Sequence, residues 1–511
     1  MQSSSQVTGV IDIGSNTVRL AVFQLQDNGA FRVIDQGRWP ARLSQKLGAD
    51  GRLPVETVAE LGEVLRHFRR ICRMHGADRV RAVATAAIRQ AANRHQVLQT
   101  LYEETGLEIE LLSGEDEARL GSAAVMRTMD LQDAFVVDIG GGSTEITLLR
   151  GREIVAAVSY PIGCVNTASR FGLSGGPLSP SALEAMMSDI RDKLLRSEWL
   201  SRHPGLPLVG LGGTVRALAK LRQRTDEYPY AHLHGYELST RVVDASLELL
   251  SAMPLDKRRK FPGLSKDRAD VIVPGLAILS SVARASKSSR LVVCGAGLRD
   301  GLFYETCLPL PETPGAHQVL EESIRNLTAL YPGATEGHLN QIRRLALALF
   351  DRLAPGAGIP ASVRRLLDAA ARLCRIGAVI DFNDSADHTF YMLMHAHWNG
   401  LSHREKLLTA AIASYRGPIP LRRKLTPYRS LLREGDLETV VRLGSLLQLA
   451  AALDRSEAQA IDALDVSVAK GNRLRLEASA NHPLPMERME VDALAKLFKK
   501  SWGLTPSLKV R

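Results

Sequence analysis

From Val10 to Glu305 the hydrophobic pattern repeats one theme: a short apolar run, a turn rich in glycine or small polar residues, then a second element. In Val136 to Ile146, VVDIGGGSTEI, an apolar run precedes three glycines and alternation follows them, which predicts strand, tight turn, strand. Val10 to Leu20, VIDIGSNTVRL, makes the same device a second time. Val55 to Met74 has the apolar spacing of a helix, and RVRAVATAAIRQAANR (Arg79 to Arg94) runs from strand through a small-residue turn into helix. The strand EIELL (Glu108 to Leu112) leads into the helix of SGEDEARLGSAAVMRTM. VGLGGTVRALAKL (Val209 to Leu221) and LVVCGAGLRDGLFYE (Leu291 to Glu305) each read as strand, glycine turn and helix, while SKDRADVIVPGLAIL (Ser265 to Leu279) opens a long apolar helix. Repeated glycine turns after strands are the pattern of an open α/β sheet that uses its strand ends as a binding edge.

The texture changes at LPLPETPGA (Leu308 to Ala316). Beyond it, Leu320 to Leu353, Val363 to Ile376, Arg404 to Tyr415 and Leu437 to Leu453 carry helical spacing. VSVAKGNRLRLEA (Val466 to Ala478) reads as a hairpin and Glu490 to Trp502 as a terminal helix, together a small α+β tail. At 511 residues the chain should hold three or four domains of ~150 residues each. MQSSSQ has no apolar stretch behind it and no run of about 18 apolar residues occurs, so neither secretion nor membrane spanning is expected. Five scattered cysteines without a CxxC pair suit free thiols in a reducing cytosol, with no zinc or redox motif.

A formal net charge of +10 favours polyanionic partners. The basic clusters Lys257 to Lys260 and Arg422, Arg423, Lys424 are each accounted for by a solvated face. With aromatics at 5% and no stacking signature, specific nucleic-acid recognition is not expected.

The chemistry concentrates in the turns. Gly140, Gly141 and Gly142 lack side chains that would block a close approach, so their N–H groups can form a nest for one anion, most simply phosphate. Asp138 and Glu145 flank that nest and would repel phosphate unless a hard cation such as Mg²⁺ stood between them. The turn is not a Walker loop, and EITLLRG continues as strand where a dinucleotide fingerprint would open a helix. Thr85 and Arg89 sit near a helix start, where an arginine fork suits phosphate oxygens. Gly212, Gly213 and Thr214 can offer further N–H groups to a phosphate or a nucleoside. Ser113 and Asp116 form a capping box, and Glu115, Asp116 and Glu117 simply favour the positive end of a helix. A general base among these three is the alternative, and residue physics alone favours the cap.

Taken together, DIGSNTVRL, ATAAIRQAANR, SGEDEARL, DIGGGSTE, GLGGT, DRADVIVPGLAIL and GAGLRDGLFYE resemble, in order and spacing, the exopolyphosphatase and guanosine pentaphosphate phosphohydrolase family. The resemblance is strong over residues 8 to 305 and weaker in the helical region. It implies an α/β fold of two actin-like (ASKHA, ribonuclease H-like) lobes around a central cleft: lobe I over residues 1–125 with 298–310 returning to it, and lobe II over 126–297. An all-α domain like the HD phosphohydrolases (311–460) and a small α+β C-terminal domain (461–511) would follow. The implied activity is hydrolysis of terminal phosphate from inorganic polyphosphate with Mg²⁺ or Mn²⁺. Removal of the 5′ phosphate of guanosine pentaphosphate is the alternative, and a non-catalytic regulator binding polyphosphate or guanosine penta- or tetraphosphate is a remoter one.

The family's catalytic glutamate falls on Glu117, with Asp116 where the family usually has glutamate. Asp138 and Glu145 match its acidic positions around metal and water. Ser15, Asn16, Arg89, Gly140, Gly141, Gly142 and Ser143 match its phosphate contacts, with Gly213 and Arg268 as further candidates. The helical region lacks the histidine-aspartate pair of an active HD domain, having Leu373-Cys374-Arg375-Ile376-Gly377 there, so His388, His395, His397 and His403 are expected to be surface or structural histidines rather than a working metal set. That region would instead extend a basic channel lined by Arg422, Arg423 and Lys424, or mediate a homodimer. The expected location is cytoplasmic, with peripheral membrane association as a second possibility.

Overall fold

A computed structural model describes residues 5–173, 175–308 and 318–510, so most of the expected boundary at 308–316 lies outside the described residues. The chain divides into two compact units, Met1–Val319 and Leu320–Arg511.

Two sheets of matching topology organise the first unit. In one, β1 (Ser5–Ile13) pairs antiparallel with β2 (Val18–Gln26), β2 with β3 (Phe31–Trp39), and β1 runs parallel to β4 (Arg79–Ala84), which is parallel to β5 (Ile109–Leu111). In the other, β6 (Ala134–Ile139) pairs antiparallel with β7 (Thr144–Arg150), β7 with β8 (Glu153–Tyr160), and β6 runs parallel to β9 (Leu208–Leu211). β11 (Arg290–Val293) extends that sheet parallel to β9, and β10 (Glu237–Ser239) closes its edge antiparallel. The duplication seen in the two DIG turns is thus a duplication of a whole hairpin-plus-parallel sheet. These are the two actin-like lobes.

Each lobe has its own core. Ile11, Ile13, Leu20, Leu65 and Ile88 are fully buried in the first, and Phe135, Val137, Ile146, Leu218 and Leu276 in the second. The helix Gly114–Thr128 belongs to both. Its Leu120 and Ala124 pack with Val10, Phe23 and Val83 of the first sheet, while Val125 and Met129 pack with Val136 and Val209 of the second. The helix Leu298–Cys307 crosses it so closely that a β-carbon at Gly301 would stand 2.1 Å from the Leu120 carbonyl oxygen. On its other side this helix stacks Phe303 on Phe23, ring centroids 4.1 Å apart. Two helices pinned at a glycine therefore join the lobes.

The second unit is helical, with a terminal three-stranded sheet: β12 (Ile461–Ala469) antiparallel to β13 (Arg473–Ala480), and β13 parallel to β14 (Thr505–Val510). The connecting helix runs Pro485–Trp502, starting five residues before the apolar spacing suggests, because Pro485 sits in its first turn where a missing N–H costs nothing. β14 lies beyond the last anticipated element. Leu373 and Cys374 end the buried helix Arg364–Leu373, His403 is buried, and His395 and His397 are exposed.

Candidate active site

The hairpin tips of β1–β2 and β6–β7 are built alike. Gly14 N–H donates to the Thr17 carbonyl at 3.2 Å, and Gly140 N–H to the Ser143 carbonyl at 2.9 Å, leaving Ser15–Asn16 and Gly141–Gly142 at the turns. The tips meet. A β-carbon at Gly141 would lie 3.0 Å from Ser15 Cβ, and one at Gly142 2.8 Å from Ser15 Oγ, so glycine is what allows the approach. The helix Cys164–Arg170 grips the second tip from behind: Cys164 and Val165 N–H donate to the Gly140 and Gly141 carbonyls, each at 2.9 Å, and Asn166 Nδ2 to the Gly142 carbonyl at 2.7 Å. With its carbonyls so held, the turn keeps the Gly141 and Gly142 N–H groups without an acceptor among the described residues. That is the arrangement of an anion nest.

Around these tips one cavity gathers Ser15, Asn16, Glu117, Asp138, Gly140, Gly141, Gly142, Ser143, Glu145, Gly213 and Arg268. Ser113 caps the helix that carries Glu117, its Oγ accepting from Asp116 N–H at 3.0 Å. Asp116 is turned to that cap and to Arg119, and Glu117 is the one acidic residue of the three that lines the cavity. The helix cap thus accounts for Asp116, while Glu117 alone of the three faces the cavity. Arg89 does not line the cavity itself but pairs with Glu117 and donates to the Leu112 carbonyl at 2.7 Å. Gly114 lets the helix start press on β8, where a β-carbon would stand 2.3 Å from Ser159 Cβ. Ser159 Oγ in turn donates to Glu145 at 2.7 Å.

The electrostatics follow from burial. Asp12, Asp138, Glu145 and Glu117 are all raised above the usual carboxylate range, each mainly by loss of water. Glu145 further raises Glu117 while Arg89 opposes the shift, and Asp138 further raises Glu145. Four arginines, Arg19, Arg216, Arg268 and Arg299, line the same cavity, and burial together with Arg216 lowers Arg19 to about 9. A β-carbon at Gly213 would stand 2.1 Å from the Arg268 guanidinium, which thus lies flat on that glycine. Arg216 Nε donates to the Gly212 carbonyl at 3.1 Å, and Arg299 to the Leu20 carbonyl at 2.8 Å.

Sequence reasoning assigned no role to Asp12, Arg19, Arg216, Arg299 or Asp300. Register was the missing signal for Arg19: it pairs across its hairpin with Asp12 as Glu145 does with Asp138. Arg422, Arg423 and Lys424 lie on the helix Pro418–Leu425 of the second unit. There Lys424 is held by Asp387 at 2.7 Å, with only Arg422 and Arg423 exposed.

The donor set suits a hard cation. Asp138 and Glu145 offer only oxygen, line the cavity half-buried and buried respectively, and lie on paired strand positions, and Mg²⁺ typically takes one or two carboxylates and completes its shell with water and phosphate oxygens. Among the described residues no group of three or more His, Cys, Asp or Glu placed to hold a metal ion occurs.

Comparison with known proteins bears on this geometry. A model described as the Ppx/GppA phosphatase family matches residues 22–309, and one described as Ppx/GppA phosphatase, domain III, matches residues 319–495. The chain is 28% identical over 502 residues, 96% of each chain, to a guanosine-5′-triphosphate,3′-diphosphate pyrophosphatase of Vibrio vulnificus. The crystal structure of the Aquifex aeolicus Ppx/GppA family member is 30% identical at a TM-score of 0.52, over 60% of this chain and 98% of that one. An exopolyphosphatase from Cytophaga hutchinsonii shares the fold at 24% identity and a TM-score of 0.55, over 59% of this chain and 97% of that one.

Proposed function

This chain belongs to the Ppx/GppA phosphatase family, and from that premise we propose that it hydrolyses the terminal phosphoanhydride bond of inorganic polyphosphate. The observation that carries the reading is the single cavity in which Glu117, Asp138 and Glu145 share space with two facing phosphate-sized turns. The terminal phosphoryl group sits between the tips, its oxygens taking the free N–H groups of Gly141 and Gly142, the Ser15, Asn16 and Ser143 side of the turns, and Arg268. Glu117, fixed by Arg89, accepts a proton from a water and aims its oxygen in line at the terminal phosphorus. A new P–O bond forms, the bridging P–O bond breaks, and the shortened chain leaves with the bridging oxygen. A divalent cation held by Asp138 and Glu145, Mg²⁺ or Mn²⁺, would supply charge neutralisation on the phosphate oxygens. Chelation should then abolish phosphate release and added Mg²⁺ restore it.

Removal of the 5′ phosphate from guanosine pentaphosphate is the second reading. The end-to-end likeness to the Vibrio vulnificus pyrophosphatase favours it, and the net charge of +10 favours the longer polyanion. Phosphate release from long-chain polyphosphate and from guanosine pentaphosphate, measured side by side at matched phosphate concentration, separates them. A larger kcat/KM for polyphosphate is expected, and a larger value for the nucleotide would replace this reading with the second. No helix among the described residues is long and apolar enough to cross a membrane.

A further inference from the structure

Two more arginines that the reaction as described does not use are paired with the aspartates flanking the cavity-lining Arg268. Arg268 ends the short turn Lys266–Arg268, and the aspartates on either side of it reach across the cleft to the first lobe. Asp267 pairs with Arg38 near the end of β3, and Asp270 Oδ2 lies 3.1 Å from Arg42 Nη1. Arg42 is bound to the phosphate turn through its backbone: its N–H donates to the Asn16 carbonyl at 3.0 Å, and its left-handed φ of 51° turns the chain so that Ser44 N–H reaches the Ser15 carbonyl at 3.1 Å. Arg42 is thereby anchored on the turn that would hold the reacting phosphate, while Arg38 lies opposite the cavity-lining Arg19 in the β2–β3 ladder and pairs with the residue next to Arg268.

These ion pairs are poor fasteners. The side chains of Arg38 and Asp267 are 52% and 51% exposed, those of Arg42 and Asp270 40% and 25%, and pairs this wet contribute little to stability. Asp270 Oδ1 is buried without a hydrogen-bond partner, so its carboxylate is not a matched two-point partner for Arg42. A phosphoryl group offers more charge and a better fit to an arginine fork than a single carboxylate oxygen does. Resting on the reading of the site as a polyanion phosphohydrolase, we propose that Arg38 and Arg42 form a subsite for the phosphoryl groups that follow the reacting one. Asp267 and Asp270 mask that subsite until a chain enters. Substrate length is then read there by exchange of aspartate for phosphate.

A structural latch and a masked subsite predict opposite signs, and this decides between them. With tripolyphosphate and long-chain polyphosphate as probes, the double variant Arg38→Gln/Arg42→Gln should lower the long-to-short ratio of kcat/KM by about tenfold. Asp267→Asn/Asp270→Asn should raise the same ratio, because it frees the arginines. If both variants lower activity alike and leave the ratio unchanged, the pairs are only a latch and the subsite is wrong. Should the wild-type chain release phosphate from neither substrate, the proposed function falls. The Kd for long-chain polyphosphate then decides the subsite alone, and a Kd unmoved by the arginine variant overturns it.

Discussion

The turns Ser15–Asn16 and Gly141–Gly142 share a backbone plan and differ in what fills it. Each follows an aspartate, Asp12 or Asp138, and each is closed by a glycine N–H donating to the carbonyl three residues on. Across the ladder the plans diverge, with Arg19 facing Asp12 and Glu145 facing Asp138. In the first lobe the aspartate has a cation opposite. In the second a carboxylate is doubled by another, so the demand for an external positive charge falls on that lobe. One tip brings side-chain hydroxyl and amide groups, and the other brings bare backbone. A duplicated scaffold has thus become two complementary halves of one site.

That contrast can be broken most severely at Glu145. Glu145→Gln should cost phosphate release roughly 10²–10³-fold, by removing half of the paired charge proposed to hold the cation. Measured loss under tenfold would mean that Asp138 suffices. Next in size is Gly141→Val, which pushes a side chain into Ser15 and Asn16 of the opposite tip; a displacement near 1 Å should cost about 10²-fold in kcat. Gly301→Ala tests the joint between the lobes, since the added carbon meets the Leu120 carbonyl. Denaturant unfolding should show a loss of ~1–3 kcal/mol, and an unchanged midpoint would show that the helices can slide apart freely. Smallest is Ser15→Gly, which makes the first tip resemble the second. Loss of one hydroxyl contact, ~1 kcal/mol, should lower kcat/KM only a few-fold.

Local pattern revealed the scaffold more readily than the charges. Both DIG hairpins, the helix Val55–Met74 and the strand-to-helix turns before Gly212 and Gly297 were legible, because apolar period and glycine placement act within a few residues. Glu117 was not legible from residue physics: a capped helix start explains three acidic residues equally well, and only the packing of Gly114 on Ser159 and the pairing with Arg89 set one apart. The family resemblance supplied it instead. Arg19 escaped because an arginine in an alternating strand reads as solvent-facing, while here it lines the cavity among Asp12, Arg216, Arg268 and Arg299. Arg299 and Arg216 escaped because each, on its helix, is held by a carbonyl distant in sequence, that of Leu20 for Arg299 and of Gly295 for Arg216.

The central claim is that Glu117 directs water at a phosphoryl group which the two tips hold without its help. Glu117→Gln keeps the shape of the side chain and removes its charge, so polyphosphate Kd and single-turnover phosphate release should be measured on the same protein. The account predicts a Kd within a few-fold of wild type and a release rate lower by about 10²–10⁴-fold. Release at the wild-type rate, or loss of binding together with the rate, would contradict it.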